Sequence, residues 1–352
     1  WQIKKHSNFQ EKQIYIEIKR KRFKCLSCSR TFSQDLPGIP KYARKTINFE
    51  TQSLNYLSKN SFKEVGLVNK TCYPSLKNQL YKYVNPYKLL DKKIKELLKQ
   101  DKIFLGIDGQ SFRGQDMVLT ITEVFRKEII TVLPSELQKD LEKFLKQLPK
   151  LLRLKVAGIA MDMTNKHIKL LKKYFPNALI VIDHYHLVQH AIRLMQKTRT
   201  NIQRTSGITI PIKKEMDKNC TDLTDKEEQK LLKYFIQYPK LREVYLVKER
   251  IRSLYKTSKY EKAIYKFKIL KNDLLNCENL YMQELGNTLV NWEKEILNYF
   301  LCRITNAFTE GIHTKCKLIK RKSFGFRNVE TYVRKLILGL FPLIFVLSSH
   351  TY

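Results

Sequence analysis

Acidic side chains are in short supply in this sequence: 33 Asp and Glu stand against 67 Lys and Arg, which gives the 352-residue chain a formal net charge of +34. Solubility alone needs far less, so the imbalance points to a polyanionic partner. Long apolar runs are missing as well. The longest, "LILGLFPLIFVL" at 336–347, is too short to span a bilayer, which takes about 20 residues, and has Pro342 in its middle, so it reads as core or as a buried end. The chain opens on Trp1, Gln2 and Ile3 rather than on a charged start followed by an apolar block, which argues against a secretory signal and for a fragment. Cysteines are few: the seven are scattered apart from one close pair, an odd count that does not fit a secreted disulfide framework and places the protein in a reducing cytosol. Internal repeats and low-complexity segments are absent.

What is present suffices for a sizeable core. With 43% hydrophobic residues over 352 positions, two or three units are expected. The basic residues are spread through the whole chain rather than gathered on one amphipathic helix, which favours nucleic acid over a membrane surface as the partner.

Near the start, "RKRFKCLSCSRTF" sets Cys25 and Cys28 in a C-x-x-C knuckle. Two thiolates on a tight turn converge on one metal, so the pair supplies half of a tetrahedral zinc site. His6 is a conceivable third ligand, although a lone histidine is more often an ordinary surface residue; a second pair upstream of Trp1 is the better completion. Residues 46–83 follow with short helical patterns, and Gly66 and the polar residues after it separate "SFKEV" from "SLKNQLYKYV". In a basic chain this suggests a helix-turn-helix reading DNA, with a small helical packing module as the alternative.

From residue 103 the pattern changes to strands. "IFLGID", "MVLTITEV" and "EIITVLP" are rich in β-branched residues at hairpin spacing. A helix follows, opened by a Ser135/Gln138 capping box, with Leu137, Leu141, Phe144, Leu145 and Leu148 on one face. "VAGIAMD" is a fourth strand, Thr164 starts a second helix through Phe175, and "NALIVID" is a fifth strand. Between about 187 and 300 the pattern is almost wholly helical.

Strands one, four and five, joined through helices, should lie parallel, and ligand-binding groups gather at the carboxyl ends of such strands. Asp108, Asp162 and Asp183 all lie at such ends. One of them could be a helix cap, Asp162 in particular because it stands two residues before Thr164. Carboxylates that converge repel one another unless a cation lies between them, and hard oxygen ligands favour Mg²⁺ or Mn²⁺. In a basic protein that suggests phosphoryl transfer on nucleic acid with two metals roughly 4 Å apart. A further acid on a nearby helix is needed. Glu310 is the candidate: Asn306 can cap that helix, and Lys315, Lys317, Lys320, Arg321 and Lys322 follow it as phosphate contacts, with Arg327 beyond. Alone, Glu310 reads equally well as a surface acid near a helix N-terminus.

The order "IDGQSFRG", "AMDM", "FPNALIVIDHYHLV" and "TNAFTEGIHTKCKLIKRKSFGFRN", after a cysteine knuckle and a helix-turn-helix, resembles bacterial insertion-sequence transposases of the DDE class, in particular the ISL-three family. The resemblance covers nearly the whole chain. It implies an α/β RNase H-like core, a mixed five-stranded sheet with helices, interrupted by an all-α insertion, and a DDE triad that uses Mg²⁺ or Mn²⁺ to nick transposon ends and join the 3′-hydroxyl to target DNA. Carried over, the triad falls on Asp108, Asp162 and Glu310. Asp183 also matches a family position, but in the RNase H-like fold that the resemblance implies strand four neighbours strand one, which favours Asp162; Asp183 and His186 then become support for the catalytic acids or for a DNA phosphate. Two positions depart from the pattern: Gly109 stands where the family has Glu, and His313 where it has Asn. Trp292 could stack on a flipped base, though core packing is the better reading.

The implied organisation is a partial zinc knuckle over 1–40, a helix-turn-helix region over 41–98, the first part of the RNase H-like core over 99–186, the helical insertion over 187–300, and the rest of the core with Glu310 over 301–352. Its partners would be double-stranded DNA, as transposon ends and target, and a second copy of the chain. It would act in the bacterial cytoplasm, bound to the nucleoid, with no membrane contact.

Overall fold

A computed structural model of the chain describes residues 1–9 and 12–347; the last five residues of the region 301–352 lie outside the described residues. The first strands form two small hairpins: β1 (Gln2–Phe9) pairs with β2 (Lys12–Ile18), and β3 (Arg22–Lys24) with β4 (Thr31–Ser33). Four helices follow, α1 (Ile47–Lys59), α2 (Phe62–Val68), α3 (Tyr73–Tyr83) and α4 (Pro86–Leu97). Local chemistry sets their starts. The Thr46 hydroxyl accepts from Phe49 N, and Ser61 with Glu64 forms a full capping box at α2. Gly66 lies inside α2 rather than in the turn, and the turn itself spans 69–72 with Lys70 at φ +42°. A Cβ on Gly66 would meet Thr71 O at 2.9 Å, so the glycine is there to let the turn fold back on the helix.

The central sheet comprises β5 (Ile103–Arg113), β6 (Asp116–Glu123), β7 (Glu128–Leu133), β8 (Val156–Met161) and β9 (Leu179–Ile182), in the order β7-β6-β5-β8-β9. β5 to β7 form an antiparallel meander, whereas β8 and β9 run parallel to β5. Between them lie α5 (Gln138–Gln147), α6 (Lys150–Lys155) and α7 (Ile168–Tyr174). Two local expectations fail here. No capping box opens α5: the Ser135 hydroxyl donates to Asp140 and accepts from Leu137 N, while the Gln138 amide reaches Lys166 O. Thr164 does not begin a helix, because its hydroxyl accepts from Lys166 N in a turn and α7 starts only at Ile168.

After β9 the chain is helical: α8 (His184–Ser206), α9 (Lys213–Asp217), α10 (Asp225–Gln237), α11 (Pro239–Tyr255), α12 (Tyr260–Leu275), α13 (Leu280–Asn291), α14 (Glu293–Leu297) and α15 (Tyr299–Cys302). The last elements are α16 (Ala307–Lys322), α17 (Val329–Leu340) and α18 (Leu343–Leu347), so Pro342 splits the apolar stretch into two short helices. Among the described residues no helix is long and apolar enough to cross a membrane.

The sheet separates two cores. On one face Leu105, Ile107, Leu119 and Ile121 pack with α5, α7 and α8, and this core runs on without a break into the helices up to Phe300. On the other, Val118 of β6 packs with α16, α17 and the N-terminal helices. The buried Lys335 of α17 donates to Leu57 O and to Asn60 O (2.9 Å), capping the C-terminal end of α1 and tying the N-terminal helices to this face. Trp292, only 8% exposed, belongs to the first core and is not available for stacking.

Candidate active site

The parallel pairing of β5 with β8 aligns Ile107 with Met161, so the residues that follow, Asp108 and Asp162, emerge side by side. Asp183 follows Ile182, the partner of Met161 in β9, and donates its backbone N–H to Met161 O. Strand pairing therefore brings three acids to one edge, but their side chains do different things.

Asp183 is 1% exposed and fully engaged. Its Oδ1 accepts from Tyr185 N (2.9 Å), making it the N-cap of the 23-residue α8, and its Oδ2 accepts from Asn306 N at 2.5 Å. The helix cap among the three acids is thus Asp183, not Asp162. Contrary to the expectation from sequence, Asn306 does not cap α16 with its side chain; its amide turns inward and donates to Ile107 O (3.1 Å), next to Asp108. One turn on, the Thr309 hydroxyl lies 2.7 Å from that of Thr122 in β6. These buried polar contacts fasten the start of α16 to β5, β6 and β9. Gly106 is part of the device: a Cβ there would meet Thr309 Oγ1 at 2.5 Å, Thr122 Oγ1 at 2.6 Å and Asn306 Oδ1 at 2.7 Å.

α16 then presents Glu310 and His313 on the sheet side. His313 Nδ1 lies 3.3 Å from Asp108 Oδ2, so the histidine at the departing position rests against the first acid. His186, in the first turn of α8, sets Nε2 2.7 Å from Asp162 Oδ1 and 4.0 Å from Glu310 Oε1. The Asp162 contact is a close ion pair outside hydrogen-bond alignment, which leaves that buried oxygen without an aligned donor. Three shifts follow. Burial, and then the carboxylate of Asp108, push the Asp162 carboxyl above the ordinary range against the pull of His186. Burial and the surrounding acids raise Glu310 likewise. The Asp162 carboxylate raises His186, favouring the imidazolium.

A cleft of about 320 Å³ opens beside these groups, lined by Asp108, Asp162 and His186 and also by Glu136, Lys166 and Arg193. The last three are absent from the sequence-derived set. Arg193 had a signal, since it follows His186 by two helical turns on α8 and shares its face. Glu136 had none: it stands beyond the end of β7, pairs with Lys166 at 2.7 Å, and comes within 3.1 Å of where a Cβ on Gly109 would lie.

By type, the donors suit a hard divalent cation: carboxylate oxygens close enough that Asp108 raises both Asp162 and Glu310, and an Asp162 oxygen with no aligned donor. Among the described residues, however, no three His, Cys, Asp or Glu side chains come close enough together to hold an ion. His186 lies between Asp162 and Glu310 and much nearer to Asp162.

Away from the cleft, Lys315, Lys317, Arg321, Lys322 and Arg327 are exposed, and Lys320 is half-buried with its ammonium on Ser111 O. None of the six forms an ion pair among the described residues. Cys25 and Cys28 sit on the turn joining β3 to β4, with Cys25 N bonded to Arg30 O. The Cys25 thiol is pushed down to about 6 by the hydroxyl of Ser27 and then by Cys28. His6, on β1, contacts the Thr46 hydroxyl at 3.3 Å and contributes no third ligand to the knuckle.

A family model described as a transposase, of the DDE class and ISL3 type, matches residues 105–336, which contain the whole cleft. The transposase for insertion sequence element IS1001 of Bordetella parapertussis is 20% identical over 350 residues, spanning 94% of this chain and 82% of that relative.

Proposed function

Because the chain belongs to the ISL3 family of DDE insertion-sequence transposases, we propose that it binds the terminal inverted repeats of its element as double-stranded DNA and catalyses their cleavage and strand transfer. The observation that carries this reading is the adjacency of Asp108 and Asp162 in the β5–β8 pairing, with Glu310 joined to Asp162 through His186. Asp108, Asp162 and Glu310 are the acids that would hold Mg²⁺ or Mn²⁺. When bound, the ion would polarise the scissile phosphate and acidify the attacking hydroxyl.

The chain's own residues have separate tasks. His186 holds the Asp162 carboxylate in one rotamer and offsets its charge until DNA and metal arrive. Asp183 is a positioning residue that acts through Asn306 to hold the start of α16, and with it Glu310. The unpaired cations Lys315, Lys317, Arg321 and Lys322, with Lys320, run along the duplex phosphates on the same helix that carries the acid, and Arg327 adds to them from the loop after it. In chemical terms, water attacks the phosphodiester at the element end and releases a 3′-hydroxyl, which in turn attacks a target phosphodiester and displaces its 3′-oxygen. Residues 41–98 would read the end sequence through α2 and α3. Cys25 and Cys28 would supply half of a zinc site in the knuckle over 1–40, the helices from 187 to 300 would form the insertion, and two copies would pair the ends on nucleoid DNA in the cytoplasm.

A DNA-binding remnant without cleavage is the second reading, favoured by the lack of three converging ligands among the described residues. Cleavage of labelled inverted-repeat duplex in Mn²⁺ separates the two. The enzyme cuts, and Asp108→Asn and Glu310→Gln abolish cutting while leaving binding intact. A wild-type protein that binds the repeats and never cuts them would establish the remnant instead.

A further inference from the structure

Helix α16 ends in a Schellman motif whose residues are in an unusual order. Phe324 N–H donates to Arg321 O (3.0 Å) and Gly325 N–H to Lys320 O (3.1 Å), the two bonds that close such a helix end. The left-handed residue after the cap is usually glycine, yet here it is Phe324 at φ +56°, and the glycine comes one place later at φ +87°. The strain is accepted without burying the ring: Phe324 is 86% exposed. An aromatic held in an unfavourable conformation and pointed at solvent suggests a ligand that meets it there.

The surroundings narrow the ligand. Phe324 lines a groove of about 900 Å³ between the loop 323–328 and α2 with the start of α3. Its walls include Leu67, 70% exposed, and Tyr73, 51% exposed, with Phe62 edge-on to Tyr73 at 5.0 Å. Lys63 and Arg327 stand on the same groove, and Arg113 joins Arg327 and Phe324 in the adjoining hollow. An aromatic slot rimmed by cations fits a flat neutral ring attached to a phosphate, which describes a nucleotide lifted out of a duplex.

We propose that this groove takes up one nucleobase extruded from the bound DNA, stacked on Phe324, with its flanking phosphates on Arg327, Lys63 and Arg113. The inference rests on the transposase reading for the identity of the DNA. It also gives the place of the base. Phe324 follows Glu310 by 14 residues, a rise of about 20 Å along the helix, which corresponds to roughly six base steps at 3.4 Å each. With α16 laid along the duplex axis, the extruded base lies about six pairs from the cleaved phosphate.

The test uses the full chain carrying Asp108→Asn, without divalent metal, on inverted-repeat duplex with 2-aminopurine placed in turn at each position around the cleavage site. A fluorescence rise is expected at one position near the sixth pair, and Phe324→Gly should remove it. The same substitution, which places glycine where the motif favours it, should raise the urea midpoint, so loss of signal cannot come from misfolding. On normal duplex Phe324→Gly weakens binding about tenfold, the order of one base–aromatic stack; on a duplex abasic at that position it changes binding less than about twofold. An unchanged 2-aminopurine profile in Phe324→Gly, or an equal loss on both duplexes, overturns the proposal. A wild-type protein that shows the Phe324-dependent signal but never cuts in Mn²⁺ would leave this groove standing and remove the transposase reading.

Discussion

Replacing Asp183 and Asp162 in turn separates a positioning acid from one that faces the cleft. Asp183 is 1% exposed and satisfies two buried N–H groups, Tyr185 N at the head of α8 and Asn306 N at the head of α16. Asp183→Ala loses an N-cap, typically about 1 kcal/mol, and strands a buried donor at Asn306, roughly 1–3 kcal/mol more. A loss of about 2–4 kcal/mol in urea unfolding is expected. Asp183→Asn keeps the volume and one acceptor, so one of the two N–H groups loses its partner and the loss is roughly 1–3 kcal/mol. Asp162→Asn runs the other way. The folded state raises the Asp162 carboxyl through burial and then Asp108, so it binds the proton more tightly than the unfolded chain. At that site stability falls as pH climbs from the ordinary carboxylate range through the raised value, and a neutral amide avoids the fall. Asp162→Asn should therefore be at least as stable as wild type at neutral pH, bind the repeats and fail to cut. Asp183→Asn should cut at a reduced rate once temperature is lowered to restore folding. A urea midpoint for Asp183→Ala equal to wild type, or cutting by Asp162→Asn with none by a folded Asp183→Asn, would refute the assignment.

Other outcomes follow from the same geometry. Gly106→Ala forces apart Thr122, Thr309 and Asn306 and should cost about 1–3 kcal/mol in thermal or urea unfolding, with cleavage falling more than DNA binding; unchanged values for both would mean α16 is not held there. The Cys25 thiol, pushed down to about 6, should react with iodoacetamide at a rate that rises through about pH 6 and levels off above it. Zinc should suppress the Cys25 reaction if the knuckle binds it. Changing Lys315, Lys317 and Arg321 together to Ala should lower the slope of log affinity against log salt by about 2.7, or 0.9 per lost phosphate contact, with little change in sequence preference. An unchanged slope would put the phosphates elsewhere.

Strand direction was legible because it follows from pattern: β-branched runs at hairpin spacing marked β5 to β7, and helical crossovers required β8 and β9 to run parallel to β5. The adjacency of Asp108 and Asp162 came instead from the RNase H-like fold that the family resemblance implied, in which strand four neighbours strand one, and β5 does pair with β8. Less legible was the division of labour among the acids. Capping rules judged Asp162 by its distance from Thr164, whereas the next helix begins only at Ile168, and Asp183, followed directly by α8, makes the cap. Asn306 was misjudged for a related reason. A cap residue is read from its own helix, yet its amide is claimed by Ile107 O, 199 residues away in the chain, and its backbone by Asp183. Such long-range partners leave no local period. Glu136 and Lys166 escaped on the same ground, since only tertiary folding brings a residue beyond β7 beside Gly109. The residues that bring α16 to the cleft thus have partners more than a hundred residues away in the chain. Their loss should appear as a failure to cut DNA that is still bound, because the exposed cations of α16, proposed to hold the phosphates, would stay in place when its N-terminal end comes loose.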